Sequence, residues 1–383
     1  MDPSLYDGRE QSLVKHQILE RYLFRFALII GRTWQSITYV DCFSGPWKSQ
    51  SEKYEDTSFA IAIKQLREAK KRLQDDGIDL KLRAFFIEQN KDSFAQLKRY
   101  ANEIQDVEIG VYNGTLEQAI DKIQTFIVAS KGQTFPFFFI DPKGWTGFAL
   151  DVIRPLLLVK PCEVLINFMT QHIIRFIDNE ESRSSFELLF GAQNIAEQLA
   201  NLRQEDRADA AVFKYRDAVS NAGGFGFSGI AGILNPLKDR SHFHLIYLSR
   251  NAKGLDVFKD AEKKSIAEME STRAKLEQKK REKQSKQREL FGNEDAPESS
   301  YFLALRDRYQ KLAITEIESV LLADGRISYD DAWHSWLRFP MVWESDLKEW
   351  IKRQSTRIMI EGLSEQQKVP KRAEKHVLVW RTQ

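Results

Sequence analysis

At 383 residues, with 42% hydrophobic and 29% charged side chains, the chain is long enough for a sizeable core and for two domains. Its formal net charge of +2 averages over uneven regions, so it neither excludes nor supports a polyanionic partner. Two cysteines, Cys42 and Cys162, exclude a disulfide framework and a cysteine-rich zinc site, and no run reaches the roughly 18 apolar residues of a membrane span.

The N-terminus is polar and lacks a leader pattern, so a cytoplasmic protein without membrane association is expected. Apolar residues recur at helical intervals from Leu13 to Leu28, predicting an amphipathic helix over 10–30. A first strand follows over 36–43, then a polar loop and a helix over 57–74 with Ala60, Ile61, Ile63 and Leu66 facing inward. The pattern continues as strand 80–88, helix 91–104, strand 107–112, helix 116–129, strand 135–140, helix 148–158 and strand 162–168. Strands alternating with helices at this spacing predict an α/β fold, a mostly parallel sheet with right-handed crossovers and helices on both faces.

From 169 to 221 the pattern is mainly helical. Residues 223–232, GGFGFSGIAG, read as a glycine-rich loop or hinge without a phosphate-binding ending. Residues 241–249 return as a strand of the same sheet; His242 and His244 share one of its faces, but without a third ligand no metal site is expected. The compact domain is expected to span 1–255. Residues 256–300 follow as a charged linker, whose Lys, Arg, Glu and Gln predict a solvated helix and whose segment KKREKQSKQR would also attract phosphates. Over 301–383 the order is three helical segments (301–322, 327–337 and 344–354) and a strand–turn–strand, the order of a winged-helix-like domain. Such a module serves protein contact as well as nucleic-acid binding, and the basic segment KVPKRAEKH leans towards the latter.

Polar residues at strand ends mark a candidate pocket, because open parallel sheets bind ligands at the carboxyl ends of their strands. The first strand closes on Asp41, Phe43, Ser44, Gly45 and Pro46, the second on Glu88, the third on Asn113 and the fourth on Asp141 and Pro142. Three carboxylates on neighbouring ends would also suit Mg²⁺ in a nuclease.

The series KHQILERYL, YVDCFSGPW, FFIEQN, FFFIDPKGW, EVLINF and HFHLIYLSRNAKGLDVFK resembles the three-Cys-motif partner protein (TcmP) family, in matching order over residues 10–265. In that family the first strand ends Asp-x-Phe-Ala-Gly-Pro-Gly and the fourth Asp-Pro-Phe-Gly; here Asp41, Phe43, Gly45, Pro46, Asp141, Pro142 and Gly144 match. The resemblance implies a Rossmann-like, class I methyltransferase-like core and S-adenosylmethionine as ligand. It also implies a partner protein with three cysteines that resembles radical S-adenosylmethionine enzymes, and it leaves open an adaptor that has lost catalysis. Trp47 stands where the family has Gly, and Lys143 where it has Phe; the first brings an indole to the methionine end of the ligand, the second a cation to the acceptor.

On that reading Asp41 meets the ligand's amino group through water, or caps the turn. Ser44 and Gly45 let backbone N–H groups approach its carboxylate. Glu88 accepts both ribose hydroxyls, or serves as an acid at a helix start, and Asn113 reads the adenine edge or caps the next helix. Asp141 and the Pro142 carbonyl hold an acceptor nitrogen. Lys143, Trp145 and His16 complete the substrate side, Trp145 by stacking on a base or by packing, and His16 by pocket contact or by packing of its helix.

Overall fold

The computed structural model describes residues 1–45, 49–131, 133–235, 238–285, 298–364 and 366–381. The chain divides into two compact units, one of residues 1–228 and 232–272, the other of 273–383 with 229–231.

In the first unit the elements run α1 (Glu10–Ile30), β1 (Ser36–Asp41), α2 (Ser58–Asp75), β2 (Lys81–Glu88), α3 (Lys91–Asn102), β3 (Glu108–Asn113), α4 (Leu116–Val128), β4 (Thr134–Ile140), α5 (Leu150–Leu157) and β5 (Glu163–Phe168). Four helices follow, α6 (Thr170–Phe176), α7 (Arg183–Phe190), α8 (Ile195–Ala200) and α9 (Gln204–Gly223), then β6 (Phe227–Leu234), whose residues 229–231 group with the second unit, β7 (Ser241–Ser249) and α10 (Ala252–Ser285), which passes into the second unit at residue 273. The seven strands form one sheet in the order β3-β2-β1-β4-β5-β7-β6. Strands β1 to β5 pair in parallel, and β7 runs antiparallel to β5. This is a Rossmann-like α/β fold. Its centre reads as continuous apolar runs, such as TFPFFFI in β4, because both faces of a parallel sheet are covered.

The order reverses between β1 and β4, and there Asp41 lies in register with Phe86 on one side and Phe139 on the other. The carboxyl ends of β1, β2 and β4 are thereby brought level. That edge is the topological switch point at which such sheets take ligands.

Two expectations are corrected. The glycine-rich run is not a loop throughout: Gly223 ends α9 and Gly224 turns the chain at φ +62°, but Phe227–Leu234 forms β6. Phe227, Ile230, Ile233 and Leu234 supply the strand-forming character that the glycines obscure. The charged segment is not solvated from its start, since Val257, Phe258, Ala261, Ile266 and Met269 of α10 are buried beside a buried Lys259–Glu262 ion pair. Of the predicted linker, residues 286–297 lie outside the described residues.

In the second unit α11 (Ser300–Asp324) leads through β8 (Arg326–Ser328) to α12 (Tyr329–Leu337), α13 (Glu344–Arg353), β9 (Ile358–Glu361) and β10 (Val377–Trp380). The three strands form an antiparallel sheet in the order β8-β10-β9. The start of the predicted helix at 327–337 is thus a strand: β8 pairs with β10, and Ser328 caps α12 by accepting from Asp331 N at 3.0 Å. Among the described residues no helix is long and apolar enough to cross a membrane.

Candidate functional site

A cleft of about 660 Å³ opens at the carboxyl ends of β1 to β4. Its walls come from four loops: Cys42 and Phe43 after β1, residues 87–92 around the end of β2, Gly114–Leu116 after β3, and residues 143, 144, 146 and 147 after β4. Each wall is made by local chemistry. Asn90 caps α3 by accepting from Asp92 N and Ser93 N at 3.0 Å, and Thr115 caps α4 in a box with Gln118. Both helices therefore present their amino-terminal ends towards the cleft.

Glu88 lies in this cleft, almost fully buried, with Oε1 accepting from Asn90 N at 2.6 Å. Asp41 does not reach it. Its carboxylate is fully buried behind the β1 loop and accepts from Ser58 Oγ at 2.6 Å, Tyr39 Oη at 3.2 Å and Phe43 N at 3.2 Å. Burial pushes its pKa up to about 6, against the pull of the Ser58 and Phe43 bonds. The turn-capping role is the one its contacts describe. Ser44 is structural too: Oγ donates to Asp41 O at 2.7 Å and accepts from Ile87 N at 3.2 Å, tying the loop to β2. Phe43 lines the cleft, Gly45 is half-buried, and Pro46 and Trp47 lie outside the described residues.

Asn113 is exposed; its amide donates to Glu88 O at 2.8 Å and Gln89 O at 3.2 Å, joining the ends of β2 and β3. It caps no helix, because Thr115 does.

Asp141 is fixed on both carboxylate oxygens. Lys15 of α1 closes a buried ion pair on Oδ2, and Asn167 at the end of β5 donates Nδ2 to Oδ1 at 2.6 Å. Pro142 is buried, and Lys143 is exposed on the cleft wall. Trp145 is corrected from a stacking platform to a packing residue: its ring meets Phe176 and Phe186 at 4.8 and 5.6 Å, and Nε1 donates to Ser185 Oγ at 3.2 Å. His16 is likewise removed from the pocket. It is buried against Tyr6, whose hydroxyl lies 2.9 Å from Nδ1, and burial holds its pKa well below the usual imidazole value.

The three carboxylates at 41, 88 and 141 therefore do not converge, since only Glu88 faces the cleft. Among the described residues no group of three His, Cys, Asp or Glu could hold a metal ion, so Asp41, Glu88 and Asp141 do not form the Mg²⁺ site that the nuclease alternative would use.

Two residues of this region escaped the sequence reading, and both carried a signal. Lys15 interrupts the apolar face of α1 between Val14 and Ile18, and Asn167 interrupts the run VLINF. A polar residue on a buried face needs a partner; here each finds Asp141.

No family model and no curated protein matches the chain. Among solved structures it is similar to protein LPL1258 from Legionella pneumophila strain Philadelphia 1, at 12% identity over 61% of this chain and 84% of that one, with a TM-score of 0.35. A loganic acid methyltransferase with SAH aligns at 9% identity over 68% of this chain and 83% of that one, with a TM-score of 0.30. Likeness of this degree carries no argument; the Rossmann-like assignment rests on strand order.

Proposed function

We propose that the first unit binds S-adenosylmethionine in the switch-point cleft and is a methyltransferase-like protein. The position of Glu88 carries the reading. It is an acidic residue closing β2 beside the switch point, inside a cleft whose volume falls in the roughly 300–1,000 Å³ range of small-molecule sites. There its carboxylate would accept the ribose hydroxyls, and Cys42, Phe43, Ile87 and Leu116 would cover the apolar parts of the ligand. When bound, the cofactor supplies an electrophilic methyl group. The chain's own task is to orient an acceptor and exclude water, because alignment accounts for much of the acceleration. Calorimetric titration with S-adenosylmethionine tests the reading, and absence of binding at millimolar ligand sinks it.

Further parts of the proposal follow the resemblance to the three-Cys-motif partner family. A three-cysteine, radical-S-adenosylmethionine-like protein is the proposed partner. The second unit, winged-helix-like in its order of elements, is the proposed contact with nucleic acid or with that partner. Its hairpin loop carries exposed Lys368, Lys371 and Lys375, of which Lys371 lies 3.9 Å from Glu374, whereas on α13 Glu344 pairs with Lys348, Glu349 with Arg353, and Asp346 with Arg306 of α11.

One observation favours a second reading, an adaptor without catalysis: Asp141 has both oxygens engaged by Lys15 and Asn167. Transfer of labelled methyl groups to DNA or RNA, lost in Asp141→Ala, supports the enzyme; cofactor binding without transfer supports the adaptor.

A further inference from the structure

At the opposite, amino-terminal ends of β1, β2 and β3 lies a depression of about 550 Å³. It collects Lys70 of α2, Lys81 and Arg83 of β2, Asp106 and Glu108 at the start of β3, and Lys131 just after α4. Both carboxylates there are already neutralised. Arg67 grips Asp106 with two N–H bonds, and Arg83 holds Glu108 through Nε at 2.7 Å and Nη2 at 2.8 Å. Lys70 adds to the field that lowers the pKa of Asp106, mainly an effect of the Arg67 bond, but makes no ion pair with it.

Three lysines, Lys70, Lys81 and Lys131, therefore line one depression, and none of them closes an ion pair among the described residues. A fourth cation, Arg83, borders the same depression. Arg83 is only 5% exposed, its guanidinium lies over the Phe126 ring at 4.2 Å, and Nη1 finds no acceptor among the described residues. Lysines that merely keep a surface soluble spread apart, since like charges brought together repel. Three lysines around a depression whose own acids are neutralised leave it net positive. A buried guanidinium N–H without an acceptor is a second, independent sign that something is missing.

We propose that this depression binds phosphate groups. A single carboxylate would balance one of the three lysines, whereas a multiply charged tetrahedral anion engages several at once, and lysine meets phosphate as a point charge without a fixed fork. The groups could be those of a nucleic-acid backbone or of a phosphorylated small molecule. The inference stands on this end of the sheet alone and does not require the cofactor reading of the cleft.

The test titrates the whole protein with pyrophosphate, and separately with a fluorescein-labelled single-stranded oligonucleotide, at low and at moderate salt. Pyrophosphate is expected to bind wild type and to bind Lys81→Ala/Lys131→Ala about tenfold more weakly, roughly what two exposed charges contribute. The Lys81→Arg/Lys131→Arg variant is expected to retain binding, and circular dichroism to show both variants folded. Oligonucleotide displaced by pyrophosphate, with a shallower salt dependence in the alanine variant, assigns the phosphate to a nucleic-acid backbone. Pyrophosphate binding without such displacement assigns it to a small molecule. No pyrophosphate binding to wild type at low salt, or equal affinity in wild type and the alanine variant, overturns the proposal.

Discussion

Lys15 and Asp141 are far apart in sequence and form one buried ion pair, joining the first helix to the carboxyl end of β4. The pair fixes the Asp141 carboxylate beside the cleft, with Asn167 holding its other oxygen. Breaking a buried pair is costly because the remaining charge is left without compensation. Lys15→Met is therefore expected to destabilise the first unit by about 3 kcal/mol. Addition of Asp141→Asn should recover part of that loss. Urea unfolding of the two single variants and the double variant measures the coupling; additive losses would show that the contact contributes little.

Glu88 is the residue on which cofactor affinity should depend. Hydrogen bonds to a charged acceptor are worth about 1.5–3 kcal/mol each, so Glu88→Ala should weaken S-adenosylmethionine binding about ten- to a hundredfold or more. Calorimetry provides the reading. Trp145→Ala, which removes a packing ring away from the cleft, should lower the melting temperature while leaving that affinity within about twofold.

Stability should depend on pH through two buried carboxyls. Burial pushes Asp41 up to about 6 from 3.8, and Glu163 up to about 6 from 4.5 despite hydroxyl donors from Tyr22, Tyr247 and Ser249. A carboxyl with a raised folded-state pKa binds its proton more tightly in the native state. Its contribution is complete below the unfolded value and is lost as pH rises through the folded one. Unfolding free energy should thus fall between about pH 4 and pH 6. Glu163→Gln should flatten part of the slope, on the order of 2 kcal/mol. The lowered carboxyls of Asp56, Asp106 and Glu108 lose their contributions only as pH falls below this window. Denaturant midpoints across the range decide the matter, and an identical slope in both proteins would count against it.

Gly254 allows the first turn of α10 to lie directly on this buried network. A Cβ there would sit 2.6 Å from Glu163 Oε1 and closer still to the Tyr247 hydroxyl, neither of which can easily yield. Gly254→Ala should cost about 1–3 kcal/mol, the usual range for overpacking. Thermal unfolding checks it; an unchanged melting temperature would mean that the helix start relaxes freely.

Much of the sheet could be read from local pattern. Apolar runs such as TFPFFFI and EVLINF, separated by helical periods, state strand and helix because burial on both faces leaves that periodicity in the residues themselves. Glu88 could be placed by the same logic, since a residue at the end of a parallel strand has a defined position. What a neighbour does with a side chain leaves no such trace. Asp41, Glu88 and Asp141 share one signature, an acid closing an apolar strand. Only tertiary packing shows that Ser58 and Tyr39 hold the first, that the second faces a cleft, and that Lys15 and Asn167 hold the third. Trp145 and His16 moved from pocket to packing for the same reason: their partners, Phe176, Phe186 and Tyr6, come from other segments of the chain. Sequence alone determined most of the strands and helices, β6 and β8 excepted, because local hydrophobic period follows burial. The assignment of each polar side chain to ligand or to scaffold was decided by tertiary structure, because hydrogen-bond partners are set by distance in space.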